Sequence, residues 1–248
     1  MSHLHTITDP TNYDLRYTQE IDRRLVTSKN QYIMLPSKPG MGTEALRYAK
    51  LVEAHQLLPD SHYTPSAEPG RDLLSHLIGK YGELLLQEWF ITHHIDPIHA
   101  PFRDDYRKKV HEDDFVYNRF LIEAKAKRRG DLSYLPKISW KVNVGVKQLH
   151  HDIYIFFEIG RINKNEINPE QITDFANDPP AAFVGWATQK LIRERGIEVV
   201  PGTHSDNDNH IFKRYDWDIL ISNLYQPSLL LPYLQDSWTT IRIPDKAA

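Results

Sequence analysis

The chain has 248 residues, 40% of them hydrophobic and 25% charged, with a formal net charge of -3. That length and apolar content support one large domain, or one domain with an annex, and exclude a disordered or collagen-like chain. Because the sequence contains no Cys, a disulfide scaffold, thiolate metal centres and a Cys nucleophile are excluded, and the negative balance excludes nucleic-acid binding by bulk positive charge alone.

The absence of Cys suits a reducing, cytoplasmic location. No run approaches the length of a membrane-crossing apolar helix, so no membrane association is expected. The first residues, Met1 to Thr6, lack a basic segment followed by an apolar one and do not read as a secretory signal.

Residues 1–70 read as a mostly helical N-terminal extension, expected to serve DNA recognition or dimerisation, with scattered polar residues and a Pro/Gly stretch from Pro36 to Gly42. One helix is expected there, starting at a Thr43 cap and running through Val52. A second loop from His62 to Gly70 marks the boundary. From Arg71, Leu73, Leu74, Leu77, Ile78, Leu84, Leu85, Trp89 and Phe90 recur at helical spacing. This predicts one long helix, or two joined near Gly79, ended by Pro97 and Pro101.

Phe115-Val116-Tyr117 and Phe120 to Ala126 follow as two strands, with Asn118-Arg119 as a hairpin turn. The continuous β-prone run Ile153 to Ile159 predicts a buried central strand. Ala182 to Ala187 is a further strand, and Gln189 to Arg195 a short helix ended by Gly196. The chain past Gly202 gives no clear pattern. This order predicts an α/β fold, with a mixed central β-sheet flanked by helices. Residues 71–200 would form the core, and 201–248 a C-terminal extension packed on it.

The chemistry concentrates between Asp113 and Lys125. Glu123 and Lys125 stand two apart on a strand, so both project from one face while Ile122, Ala124 and Ala126 turn the other way. Folding the hairpin brings Asp114 beside Glu123. Two carboxylates converging at a strand end suit a hard divalent cation such as Mg²⁺, which takes oxygen ligands. Lys125 then lies where it can help a metal-bound water or a developing phosphorane charge.

Asp114, eight residues, then Glu123-Ala124-Lys125 resembles the motif of the PD-(D/E)XK superfamily of metal-dependent nucleases, which includes restriction endonucleases and repair and recombination nucleases. The similarity covers roughly residues 71 to 195. It implies a restriction-endonuclease-like core in which Asp114 and Glu123 hold Mg²⁺, with Mn²⁺ able to substitute, and Lys125 is catalytic. It also implies a metal-site Glu on the preceding helix, a place that Glu83 fits. The motif's Pro is absent, because Asp113 precedes Asp114, and this leaves Asp113 as a second-tier ligand. Ser139 and Gln148 are second-tier polar residues near such a site.

Between residues 103 and 147 stand twelve Lys and Arg against seven acids, a surplus of five in a chain whose total is negative. Lys127, Arg128 and Arg129 follow the Glu-x-Lys strand, and Lys141 and Lys147 lie further on. These are the expected contacts to DNA phosphates. Paired histidines at His93-His94 and His150-His151 match no standard zinc spacing, and the Gly40-Met41-Gly42 loop lacks the ending of a phosphate loop.

The resemblance implies a Mg²⁺-dependent deoxyribonuclease acting on double-stranded DNA, first of all a sequence-specific restriction endonuclease. A C₂ homodimer is expected, since two strands are most simply cut by two sites. A repair, recombination or phage-type nuclease of the same superfamily is the near alternative. A catalytically inactive nucleic-acid-binding module is the alternative from another class.

Overall fold

The run Ile153–Ile159 is buried at every position, and it forms the middle of a six-stranded mixed sheet. Only a strand covered on both faces can be apolar throughout. The computed structural model describes residues 32–35, 38–56, 71–99, 114–128, 141–160, 178–204, 211–212 and 214–240. In chain order the strands of this sheet are β1 (Ile33–Leu35), β2 (Ile98–His99), β3 (Phe115–Tyr117), β4 (Phe120–Arg128), β6 (Ile153–Ile159) and β7 (Ala181–Thr188). Their spatial order is β1-β7-β6-β4-β3-β2. β4 and β6 run parallel, and every other neighbouring pair is antiparallel. The chain is thus mixed α/β with a mixed central sheet, as the sequence pattern predicts.

β3 and β4 form the expected hairpin, with Tyr117 opposite Phe120. Asn118 takes the left-handed conformation at φ 56°, which a short polar side chain tolerates. β4 extends to Arg128, beyond the expected end at Ala126.

One long helix lies against β4 in this sheet, and a second helix packs on the first. The long α2 (Arg71–Thr92) is one continuous helix of 22 residues rather than two. Gly79 costs it about 1 kcal/mol of helix propensity. Complete burial of Leu73, Leu77, Tyr81, Leu86 and Phe90 outweighs that, at about 1.5–3 kcal/mol for each large apolar side chain. The helix α1 (Met41–Gln56) packs on α2.

The start of α1 corrects the sequence expectation, because Thr43 does not cap it. The Asp178 carboxylate, remote in sequence, accepts from Gly40 N at 2.8 Å and Gly42 N at 2.7 Å. A carboxylate satisfies the orphan amides at a helix start and suits its positive end. Residues before 70 therefore supply both α1 and the sheet-edge strand β1, which pairs with β7.

A second sheet has the order β5-β9-β8, from β5 (Lys141–Gly145), β8 (Ile197–Val199) and β9 (Asp216–Leu220). The helix α3 (Gln189–Arg195) joins β7 to it, capped by the Thr188 hydroxyl, which accepts from Leu191 N at 3.2 Å. Gly196 ends α3 with extended backbone, φ -81° and ψ 162°. It is small for want of room, since a Cβ there would stand 2.5 Å from Ile192 O. Short 3-10 turns precede α4 (Leu230–Thr240).

Candidate functional site

The hairpin register places Phe115 opposite Ile122, so Asp114 arrives beside Glu123. Its Oδ2 accepts from Ala124 N at 2.7 Å, which ties the carboxylate to the neighbouring strand. Glu123 and Lys125 project from the same face of β4 and are ion-paired through Glu123 Oε1. The other carboxylate oxygen, Oε2, lies 3.3 Å from His151 Nε2.

Glu83 reaches this region from α2. The helix lies so close to β4 that a Cβ on Gly82 would stand 2.7 Å from Ala126 Cβ. A residue without a side chain is what lets the two backbones approach. Glu83 Oε2 pairs with Lys80 Nζ at 2.5 Å, and the Lys80 ammonium sits 4.5 Å from the Tyr48 ring centroid.

Burial pushes the Asp114 carboxyl well above its ordinary value, and the charges of Glu83 and Glu123 push it further. The Ala124 amide and Lys125 oppose the rise. Burial also raises Glu83; Lys80 opposes this, Glu123 adds to it and Lys125 opposes it. A neighbouring carboxylate charge disfavours ionisation of a buried carboxyl.

His151 is a site residue that the sequence reading set aside with the other histidines. Its Nδ1 lies 3.3 Å from Gln148 O, and that carbonyl also accepts the Tyr154 hydroxyl at 2.7 Å. Tyr154 OH accepts in turn from His151 N at 2.9 Å. Burial, first of all, raises the Tyr154 phenol above its usual range. The signal was the pair His150-His151 directly before the apolar run. Its meaning depends on the parallel register that puts Tyr154 beside Glu123, which spacing alone does not reveal.

The remaining expected residues are spread more widely. Lys127 shares the face of Glu123 and Lys125 but stands in register with the fully buried Glu158. Arg128 alternates to the opposite face, and burial lowers its guanidinium below the ordinary value. Lys127 and Arg128 therefore belong to β4 itself, on opposite faces, rather than following the strand. Lys141 lies in the second sheet, 3.3 Å from the buried carboxylate of Asp218. Gln148 supports the site through its backbone carbonyl. Its side-chain Oε1 stands 3.1 Å from where a Gly145 Cβ would be, on the same side as Arg214 and Asp216. Asp113, Arg129 and Ser139, and the side chain of Lys147, lie outside the described residues.

Glu83, Asp114 and Glu123 each carry the type of oxygen donor that hard divalent cations take. Burial, first of all, raises the carboxyls of Glu83 and Asp114, and a cation bound beside them would favour their charged forms. In the present arrangement Lys80 and Lys125 hold Glu83 and Glu123. Among the described residues, no group of three or more His, Asp or Glu stands ready to hold a metal ion. No described helix is long and apolar enough to cross a membrane. The chain matches no protein-family model, no curated protein and no solved structure.

Proposed function

We propose that the chain is a Mg²⁺-dependent deoxyribonuclease hydrolysing DNA phosphodiester bonds, most specifically a restriction endonuclease. One observation carries the reading. Asp114 before β3 accepts from Ala124 N, between the paired Glu123 and Lys125 of β4, and Gly82, next to Glu83 on α2, packs against Ala126 of the same strand. A helix carboxylate, a hairpin with Asp and Glu-x-Lys, and a following buried strand are the parts that the PD-(D/E)XK resemblance implies.

In this reading Asp114 and Glu123 would hold the cation, and Glu83 would orient the site or support a second ion. Bound there, a divalent ion would polarise a phosphate oxygen and lower the pKa of a bound water. Lys125 would place its ammonium against the charge that develops on the phosphorus oxygens, where a fixed cation acts most strongly in a water-poor site. In the structure the Lys125 ammonium is paired with Glu123 on the same face of β4. The crossover from β4 to β6 differs from the superfamily pattern. Its described part is β5 and a 3-10 turn, where the resemblance implies a helix.

One observation favours a second reading, an inactive nucleic-acid-binding module. Lys80 and Lys125 neutralise two of the three carboxylates without any metal. Plasmid DNA incubated with Mg²⁺ or EDTA, with the ends sequenced, separates the readings. Discrete ends at one short sequence, dependent on Mg²⁺, support a restriction enzyme and with it a C₂ homodimer on double-stranded DNA. Progressive loss from ends indicates a repair-type nuclease. DNA that is bound but never cut refutes the nuclease reading.

A further inference from the structure

His151 is buried to 4% exposure directly before β6 and reaches across to Glu123 on the parallel neighbour β4. Both of its ring nitrogens face oxygen atoms that can only accept. Nδ1 lies 3.3 Å from the Gln148 carbonyl, and Nε2 lies 3.3 Å from Glu123 Oε2. A neutral imidazole carries one N–H. If Nδ1 donates to the carbonyl, the Nε2 lone pair points at a carboxylate oxygen. That contact is repulsive unless a cation stands between the two atoms.

The geometry suits a shared cation. Two ligand atoms held at about 2.1 Å and at about a right angle stand about 3 Å apart, close to the observed 3.3 Å. The second nitrogen directed at a backbone carbonyl is the usual outer partner of a metal-bound imidazole, fixing its tautomer and ring orientation. The ring is held further by His150, 4.2 Å away between centroids, and by the edge of Tyr154 at 5.6 Å. We infer that His151 ligates, through Nε2, the same divalent ion as Glu123, so that the site binds a nitrogen-tolerant ion such as Mn²⁺ more tightly than Mg²⁺, while Mg²⁺ still occupies it and supports the reaction. Imidazole suits the transition metals, whereas Mg²⁺ keeps to oxygen and water. This rests on the reading of Glu123 as a metal ligand. A ring with a proton on each nitrogen would instead make a plain ion pair with Glu123 and would need no metal.

The test is pulsed electron paramagnetic resonance of Mn²⁺ added to the full chain. Protein with natural histidine is compared with protein carrying ¹⁵N-histidine. The expected result is coupling from a directly bound ¹⁴N that turns into ¹⁵N coupling on labelling. With 13 histidines in the chain, the site is located by variants. The coupling should disappear in His151→Gln, in His151→Asn and in Glu123→Gln. Mn²⁺ affinity should fall by about tenfold or more in the His151 variants, and Mg²⁺, competing for the same site, should lose less. Mn²⁺ that binds, is weakened by Glu123→Gln and shows no histidine coupling overturns the inference but leaves Glu123 a ligand. Histidine coupling that persists unchanged in a folded His151 variant overturns it too. Absence of any Mn²⁺ binding sensitive to Glu123 overturns both this inference and the metal reading beneath it. The isotope comparison and Glu123→Gln keep the test decisive if neither His151 variant folds.

Discussion

Gly82→Ala would put a methyl group 2.7 Å from Ala126 Cβ. Carbon atoms rest at about 3.5–4.0 Å, so α2 and β4 would have to separate by roughly 1 Å. Two effects compete. Removing a mid-helix glycine stabilises by about 0.5–1 kcal/mol, while overpacking of this kind costs about 1–3 kcal/mol. The clash should win by on the order of 1 kcal/mol, a fall of about 2–4 °C in melting temperature for a chain of this size. Gly79→Ala is the internal control. It lies in the same helix and meets nothing within 4 Å, so it should raise the melting temperature. Gly82→Ala combined with Ala126→Gly should recover most of the loss, because the second change removes the atom that clashes. Thermal and urea unfolding of the four proteins decide the matter. If Gly82→Ala stabilises as much as Gly79→Ala, the close approach of α2 to β4 is wrong, and with it the placement of Glu83 one residue on.

Asp114 and Glu83 are raised in the folded protein, so the folded state keeps protons that the unfolded state gives up. Stability should fall as pH rises from the ordinary carboxylate range through the raised values. In EDTA, Asp114→Asn should melt higher than the parent near neutral pH and lose that advantage in acid; parallel melting curves across pH would contradict this. Lys141→Ala should leave the buried Asp218 without a cation that stands 3.3 Å away, costing about 1–3 kcal/mol. The salt dependence of DNA binding should not change in that variant; a slope shallower by about one unit would make Lys141 a phosphate contact.

The parts of the fold that could be read from the sequence are those whose cause is local. The run from Ile153 to Ile159 is apolar enough that only a covered strand accommodates it, and Asn118-Arg119 supplies a left-handed turn between two alternating segments. Glu123 and Lys125 were legible as a pair because period two on a strand forces one face. What could not be read depends on contacts remote in sequence. The cap of α1 comes from Asp178. β5 and β9 carry Lys141, Asn143, Asp216 and Asp218, polar residues that hide a strand until pairs such as Lys141 with Asp218 form. His151 becomes a neighbour of Glu123 only through the parallel pairing of β4 and β6. The basic run from Lys127 to Arg129 looked like one patch, yet strand alternation sends Lys127 and Arg128 to opposite faces.

The central claim is that Glu123-Ala124-Lys125 is the reacting strand of a metal-dependent nuclease. Its most direct test is single-turnover cleavage of plasmid DNA in Mg²⁺ by the parent and by Lys125→Ala, with DNA affinity measured in parallel. Both proteins are first shown folded by thermal melting, and Lys125→Met serves if the alanine variant is unstable. Removing one positioned cation should slow cleavage by about a hundredfold or more and leave DNA affinity close to the parent's. A parent that binds DNA without cutting it, or a folded Lys125 variant that cuts at the parental rate, would contradict the claim.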